Sequence, residues 1–147
     1  MSLKDQIDDV DTFDLPIQLR LADTDELGHI NNAAFIKFLE TARTEWQIAI
    51  KGSRSAVSDW DWILGRISIR FAKQARLADT LTVKMWCSRI GSKSWDFGYM
   101  MVNQNGEEVA QAQTTQIAYD DETRNSKLIP KTIRADLESR VGPVVKT

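Results

Sequence analysis

The sequence has very few of the residues from which disulfide bonds and metal sites are built. Its 147 residues include one cysteine, Cys87, and one histidine, His29. A single cysteine cannot form a disulfide bond within the chain, and its strand-like neighbours favour a buried, unreactive thiol. A lone histidine without clustered partners does not indicate a metal site. We therefore expect no metal and no other cofactor.

The chain also lacks a large excess of charge and any long apolar run. Its formal net charge is −2, and Lys and Arg are spread along the sequence, so no nucleic-acid-binding surface is predicted. Residues 1–11 are polar and acidic, without the apolar core of a signal peptide or a membrane span, and we expect a flexible leader there. Length and composition predict one cytoplasmic domain over residues 1–147.

Hydrophobic periodicity predicts one long helix in the first half of the chain. Apolar residues recur at spacings of three and four from Phe35 to Ile50, which places them on one broad face, with Trp46 deep in the packing. Asn31 or Asn32 suits the N-cap because an Asn side chain accepts a bond from an orphaned backbone N–H. Gly52 suits the C-terminal cap.

The remaining pattern predicts strands joined by short turns. Strands are expected over five segments: Phe13 to Leu21, Trp62 to Phe71, Thr80 to Arg89, Ser94 to Asn103 and Glu108 to Tyr119. Asn105-Gly106 predicts a two-residue hairpin between the last two strands. Ser53 to Asp61 reads as a loop, and a short helix is expected at about Lys131 to Arg140.

Consecutive strands with tight turns pair antiparallel, and an open sheet needs its concave face covered. One helix in this sequence is long and apolar enough to cover it. The sequence therefore predicts an α+β fold in which an antiparallel sheet wraps around one long central helix.

The polar stretch directly before the long helix is the strongest functional signal. It reads Asp23-Thr24-Asp25-Glu26-Leu27-Gly28-His29-Ile30-Asn31-Asn32. Two aspartates, the single histidine and two asparagines lie within ten residues, and the glycine allows a tight turn. The first N–H groups of a helix have no partner within it, so they can bind a carbonyl or an anion. This stretch delivers carboxylates to such a helix end.

These residues carry a family resemblance. Asp23-Thr24-Asp25-x-x-Gly28-His29-x-Asn31-Asn32, followed by Phe38-Leu39-Glu40-x-Ala42-Arg43, resembles the opening motif of hotdog-fold acyl-CoA thioesterases of the 4-hydroxybenzoyl-CoA thioesterase type. Residues 75–83 and 89–94 are similar to that family's entry into its third strand and to the following turn. The resemblance implies a hotdog fold, hydrolysis of an acyl-CoA thioester to free acid and CoA, and a homodimer or homotetramer with shared sites.

The resemblance also implies roles for individual residues. The catalytic carboxylate falls on Asp25, and the backbone N–H that polarises the thioester carbonyl falls on Asn32. A thioester is a good electrophile, so Asp25 can act as nucleophile or as general base while the helix start holds the oxyanion. His29 lines or assists the site, and Asp23 orients the loop. Leu27 stands where plant acyl-carrier-protein thioesterases have an asparagine, which favours chemistry by the aspartate alone.

Five other charged positions are candidates for the site. Glu40 is a second candidate for the catalytic carboxylate, because some hotdog enzymes draw theirs from this helix. The alternative is a charge on the helix surface or at an interface. Arg89 and Lys93 flank a glycine turn and are candidates to bind CoA phosphates, against the alternative of solvated hairpin charges. Lys73 and Arg76 are weaker candidates of the same kind.

Other function classes fit less well. A hotdog module that binds or senses acyl-CoA without hydrolysing it stays open, but it would gain nothing from a base aimed at a labile thioester. A calcium-binding EF-hand loop needs oxygen ligands where this chain has Leu27 and Ala34. Phosphatases with an aspartyl nucleophile need a parallel sheet, which the strand order does not predict. The identity of the acyl group is left open.

Overall fold

A computed structural model describes residues 1–54 and 60–147. In chain order, the elements are α1 (Leu3–Gln6), β1 (Phe13–Ile17), a 3₁₀ turn (Leu21–Asp23), α2 (Asn32–Lys51), β2 (Trp62–Phe71), β3 (Leu81–Ile90), β4 (Ser94–Val102), β5 (Glu108–Asp120), β6 (Asn125–Ser126) and α3 (Lys131–Glu138). Most of the predicted loop from Ser53 to Asp61 lies outside the described residues.

The strands form one sheet in the order β1-β3-β4-β5-β2, and β6 pairs with the end of β5. Every pairing between these strands is antiparallel. Alternate side chains of β3 face inward, and Leu81, Val83 and Met85 are completely buried. Within the described residues, β1 and β2 are the two edges of the sheet.

Helix α2 fills the concave side of this sheet. Its apolar stripe includes Phe35, Leu39, Ala42 and Trp46, all buried in the main hydrophobic core together with the inward residues of β3, β4 and β5. The Trp46 indole N–H also donates to Asp136 in α3 at 2.5 Å. The predicted α+β hotdog fold, an antiparallel sheet curled around one long helix, is confirmed. No helix among the described residues has the length and hydropathy to cross a membrane.

Two strand boundaries differ from the sequence prediction. β1 ends at Ile17, four residues early, and the chain then enters the 3₁₀ turn at Leu21. The predicted two-residue hairpin at Asn105-Gly106 is wrong, because five residues, 103–107, join β4 to β5. Backbone bonds join the Asn103 N–H to the Glu107 carbonyl and the Gly106 N–H to the Asn103 carbonyl, and the Asn103 side chain also accepts the N–H groups of Asn105 and Glu107, which stabilises the longer turn.

The first residues also differ from the expected flexible leader. Ser2 caps the short helix α1, and Ile7 is buried against Trp86 and Met100 on the outer face of the sheet. Leu3 and Val10 pack beside the same cluster. The spacing of these apolar residues, four and then three, suits one helical face, and this was missed in a stretch dominated by acidic residues.

Candidate active site

The loop before α2 is held by its own backbone and by Asp23. The buried Asp23 carboxylate accepts the N–H of Arg20 at 2.9 Å, and the Asp23 carbonyl accepts the N–H of Asn31 at 2.7 Å. Gly28 has a φ of +79°, a conformation that residues with a Cβ seldom adopt. The loop-orienting role predicted for Asp23 agrees with these bonds.

Asp25 is placed by both its carboxylate and its backbone. Its Oδ1 accepts the N–H groups of Leu27, at 2.9 Å, and of His29, at 3.1 Å. Its own N–H donates to the His29 carbonyl at 2.8 Å. Within the described residues, Oδ2 has no hydrogen-bond partner. One carboxylate oxygen therefore fixes the loop, while the other is available to a substrate or a water.

The start of α2 leaves one backbone donor unused. Asn31 is the N-cap, since its Oδ1 accepts the N–H of Ala33 at 2.9 Å; the alternative that the Asn32 side chain caps the helix is wrong. Asn32 is the first helical residue, and its N–H makes no hydrogen bond with any described residue. This N–H can therefore donate a hydrogen bond to a carbonyl oxygen.

Asp25 and Asn32 both line an open cleft of about 440 Å³. It is lined by Asp25, His29, Ile30, Asn31, Asn32, Phe35, Phe71, Ala72, Lys73, Gln74 and Ala75. The loop is joined to the far wall by a bond from the Ile30 N–H to the Ala75 carbonyl, at 2.7 Å. The three residues to which the sequence analysis assigned a catalytic role therefore line the same cleft: Asp25, His29 and Asn32.

His29 contributes mainly through its backbone. Its N–H and carbonyl both bond Asp25, and the residue also pairs with Arg76 in an isolated antiparallel bridge. The imidazole is half-buried and has no hydrogen-bond partner among the described residues. The imidazole therefore lines the cleft, while the bonds of His29 to Asp25 are made by its backbone.

An apolar groove of about 290 Å³ continues from the cleft between α2 and β2. It is lined by Asn32, Ala33, Ile36, Ile67, Ile69 and Phe71. Asn32 and Phe71 belong to both the cleft and the groove. The N–H of Asn32 therefore stands where a polar cleft passes into an apolar channel.

The cation nearest to Asp25 in the cleft is Lys73. Its Nζ bonds Glu107 Oε2 at 2.7 Å, and this hydrogen bond lowers the pKa of Glu107 to about 2. Arg76 follows closely in the chain and is exposed. Both residues were the weaker candidates for phosphate binding in the sequence, yet they are the ones that the fold brings beside Asp25.

Arg89 and Lys93 lie at the other end of the sheet in the same protomer. Arg89 is at the distal end of β3, where it bonds Asp96 at 3.0 Å and Ser94 at 2.9 Å. Because β3 begins near the cleft and rises roughly 3.3 Å per residue, this turn is about 30 Å away. A single protomer does not bring Arg89 and Lys93 to Asp25.

Glu40 does not join the cleft either. It is exposed, pairs with Lys37 at 3.4 Å, and lines a different groove between α2 and β1. Cys87 is buried, as expected, and burial raises its pKa to about 11. Among the described residues, no group of three or more His, Cys, Asp or Glu is arranged to hold a metal ion.

Phe35, Phe71 and Gln74 line the cleft although the sequence did not single them out. Phe35 and Phe71 pack edge to face, with ring centroids 5.3 Å apart. In the sequence they belong to apolar patterns that predict core, and the contact between α2 and the end of β2 becomes visible only in the folded chain.

Comparison with known proteins agrees with this architecture. A family model described as the thioesterase-like superfamily matches residues 19–137, which is most of the chain. The chain belongs to the thioesterase-like superfamily. The resemblance found in the sequence is thereby confirmed, and so is the prediction of a thioester hydrolase at the level of the family.

Individual relatives are distant in sequence, and the solved structures among them are close to this chain in fold. Long-chain acyl-CoA thioesterase FadM of Escherichia coli is 27% identical over 130 residues, covering 85% of this chain and 96% of FadM. A predicted thioesterase from Bacillus stearothermophilus has a TM-score of 0.82 at 24% identity, covering 91% of this chain and 99% of that one. A Thermus thermophilus thioesterase complexed with coenzyme A and Zn has a TM-score of 0.75 at 22% identity, with coverages of 87% and 98%.

Proposed function

We propose that this chain hydrolyses acyl-CoA thioesters to a free acid and CoA, with Asp25 as the reacting carboxylate. The observation that carries the proposal is the placement of Asp25 and of the unpaired N–H of Asn32 on one cleft. Membership of the thioesterase-like superfamily supports it, as do the names of FadM and of the coenzyme A complex from Thermus.

The chemistry needs two groups. Asp25 Oδ2 either attacks the thioester carbon or takes a proton from a water that attacks it, and both routes break the C–S bond after a tetrahedral intermediate. The N–H of Asn32 donates to the oxygen on which negative charge develops, supported by the positive end of α2. His29 lines the cleft opposite the helix start and helps to shape the loop.

The groove beside Asn32 is proposed to hold the acyl group. Its lining residues Ile36, Ile67 and Ile69 are apolar, so an acyl chain entering it is removed from water. The polar cleft on the other side of Asn32 would then receive the pantetheine arm. In this arrangement Lys73 is the nearest cation for a phosphate of CoA.

A homodimer is proposed through the edge strand β2. Leu64 and Phe71 of this strand are 41% and 43% exposed, and the open edge offers unpaired backbone groups. Antiparallel pairing of two β2 strands across a two-fold axis would set the cleft end of one protomer beside the opposite end of its partner. In that arrangement the Arg89–Lys93 turn would approach the other protomer's cleft, which keeps these residues as candidates for CoA phosphates.

The test is hydrolysis of a panel of aliphatic and aromatic acyl-CoA thioesters, followed by release of free CoA thiol. The proposal predicts catalytic thiol release from at least one acyl class. A module that only binds or senses acyl-CoA would instead bind panel members, as measured by isothermal titration calorimetry, without releasing thiol above the buffer rate. That result would replace the hydrolase proposal with the binding alternative.

A further inference from the structure

The core contains a buried polar cluster that the proposed hydrolytic step does not use. It is defined here as Arg43, Gln47, Trp95, Tyr99, Thr114 and Gln116, all buried between α2 and strands β4 and β5. Arg43 is 3% exposed. Among the described residues, its guanidinium has one hydrogen-bond partner, the neutral Tyr99 hydroxyl at 3.2 Å, and no carboxylate within ion-pair distance. A buried cation without a counter-charge is costly.

The hydrogen bonds of this cluster run in one direction, away from Arg43. Arg43 donates to the Tyr99 oxygen, which leaves the Tyr99 hydroxyl to donate to Thr114 at 2.6 Å. Thr114 donates to Gln116 Oε1, and Gln116 Nε2 donates to the Trp95 carbonyl at 3.3 Å. Burial raises the pKa of Tyr99, so the phenol stays protonated and can donate. This series of hydrogen bonds therefore provides no further acceptor for the remaining N–H groups of Arg43.

The cluster has more donors than acceptors. Gln47 lies one turn after Arg43 on α2, and its Oε1 accepts the Trp62 indole N–H at 3.0 Å. Its Nε2 and the indole Nε1 of Trp95 are buried and have no partner among the described residues. An unpaired donor of α2, an unpaired donor of β4 and an uncompensated cation of α2 are thus all buried in the core. Such a group is satisfied best by an anion that accepts several hydrogen bonds.

Arg43 does not line the apolar groove beside α2, but it lies about two helical turns beyond a residue that does. It follows Ile36, a groove residue, by seven positions, which places both on the same face of the helix. Thr114 pairs across the sheet with Ile67, and Ala112, a neighbour of Tyr99, pairs with Ile69. Adjacent strands are about 4.8 Å apart, so the polar cluster lies one strand away from two groove residues.

We propose that the groove binds acyl chains that carry a carboxylate at their distal end, and that Arg43 is the residue that binds this carboxylate. The inference rests on the proposed function, because it assigns the far end of the same acyl site. The Cα atoms of Asn32 and Arg43 are about 16 Å apart along the helix, and because a long helical side chain points back toward the helix N-terminus, a medium-length acyl group has less than this distance to span. The carboxylate would supply the negative charge and the acceptors that the cluster lacks.

The test compares two thioesters that differ only at the distal carbon. Wild-type protein is assayed for thiol release from octanoyl-CoA and from octanedioyl-CoA, which ends in a carboxylate. The expected result is a kcat/KM ratio favouring octanedioyl-CoA by at least about 100-fold, because a site that leaves buried polar groups unpaired with the wrong substrate can discriminate by up to about 10⁴–10⁵-fold. In Arg43→Met the ratio falls to about one, whereas in the control Arg66→Met, which changes an exposed arginine of β2, the ratio is kept.

Each result decides the proposal. Equal rates for the two thioesters in the wild type, or a folded Arg43→Met protein that keeps the preference, would overturn it while leaving hydrolysis established. If neither thioester is hydrolysed, the proposed function fails, and tryptophan fluorescence of the wild type titrated with octanoate and with the neutral octanamide decides the binding site. Tighter binding of octanoate supports the carboxylate site, and equal binding of the acid and the amide removes it. The titration also decides the matter if Arg43→Met does not fold.

Discussion

The carboxylate of Asp25 accepts the backbone N–H of His29 at 3.1 Å, and the backbone N–H of Asp25 donates to the His29 carbonyl at 2.8 Å. These two bonds close the loop at His29, three residues before α2 begins at Asn32. The position of the carboxylate is therefore tied to the position of the helix start. This coupling is the structural basis for expecting a base or nucleophile and an oxyanion donor to act together.

The role of the Asn32 N–H can be tested by removing it without removing the helix. Proline is accepted at the first helical position, and Asn31 already has the extended conformation, with ψ of 137°, that a residue before proline requires. We expect Asn32→Pro to lower kcat by about 10²–10³-fold, the usual effect of losing one oxyanion donor. Asn32→Ala keeps the N–H and is the control.

The measurement is steady-state acyl-CoA hydrolysis beside circular dichroism. A folded Asn32→Pro protein that turns over as fast as Asn32→Ala would show that the oxyanion is held elsewhere.

Phosphate recognition can be assigned by comparing two lysines. We expect Lys73→Ala to raise the KM for an acyl-CoA several-fold, because a cation beside the cleft is lost, and to leave the KM for the matching acyl-pantetheine unchanged. Lys93→Ala should have the same selective effect only if the partner subunit brings its turn to this cleft. Lys131→Ala, on an exposed position of α3, is the control.

Parallel increases of KM for both thioesters in Lys73→Ala would assign this residue to general folding of the cleft rather than to the nucleotide.

The proposed dimer depends on the exposed apolar residues of β2. Leu64→Lys should shift the protein toward a monomer, because it places a charge on the edge that the partner would cover. Leu128→Lys, at a residue 67% exposed and outside the sheet, should not. Light scattering checks the mass: wild type at micromolar concentration should reach at least twice the 16.7 kDa of one chain. A wild-type mass of one chain would contradict the dimer.

The orientation of α2 predicts that a substitution on its buried face destabilises the protein more than one on its exposed face. Leu39 is completely buried, whereas Thr41 is exposed and its hydroxyl bonds the Lys37 carbonyl at 2.8 Å. Leu39→Ala should reduce the free energy of unfolding by about 2–5 kcal/mol through a cavity in the core. Thr41→Ala should cost far less. Chemical denaturation of both variants checks this, and equal losses would be inconsistent with the helix orientation.

The fold was predictable because its signals are local. The apolar spacing of α2 and the alternation along β3 each depend on neighbouring residues alone, and they predicted the elements closely. The Asp25 loop was predictable for the same reason, since Gly28 and the helix N-cap Asn31 lie in one continuous stretch with Asp25. The position of the turn at residues 103–107 was predictable but its length was not, because the Asn103 side chain adds bonds to Asn105 and Glu107 that stabilise a longer turn.

The rest of the site depends on contacts between distant segments. Phe71 and Lys73 reach the cleft because β2 ends beside the start of α2, which no local pattern encodes. Arg89 lies next to a glycine turn that suits phosphate binding, yet the length of β3 carries it to the opposite end of the protomer. In the sequence, Arg43 is one polar residue of a predicted helix. Its burial without a counter-charge becomes visible only in the folded core.

The most direct test of the central claim is steady-state thioester hydrolysis by Asp25→Asn. The amide oxygen can still accept the N–H groups of Leu27 and His29, so the loop and the fold should be kept, as checked by circular dichroism. The substitution removes the charge needed to attack the thioester or to activate water. We expect kcat to fall by about 10²–10⁴-fold with a much smaller change in KM, and Asp23→Asn to lower kcat far less. A folded Asp25→Asn protein with near wild-type turnover would contradict the account.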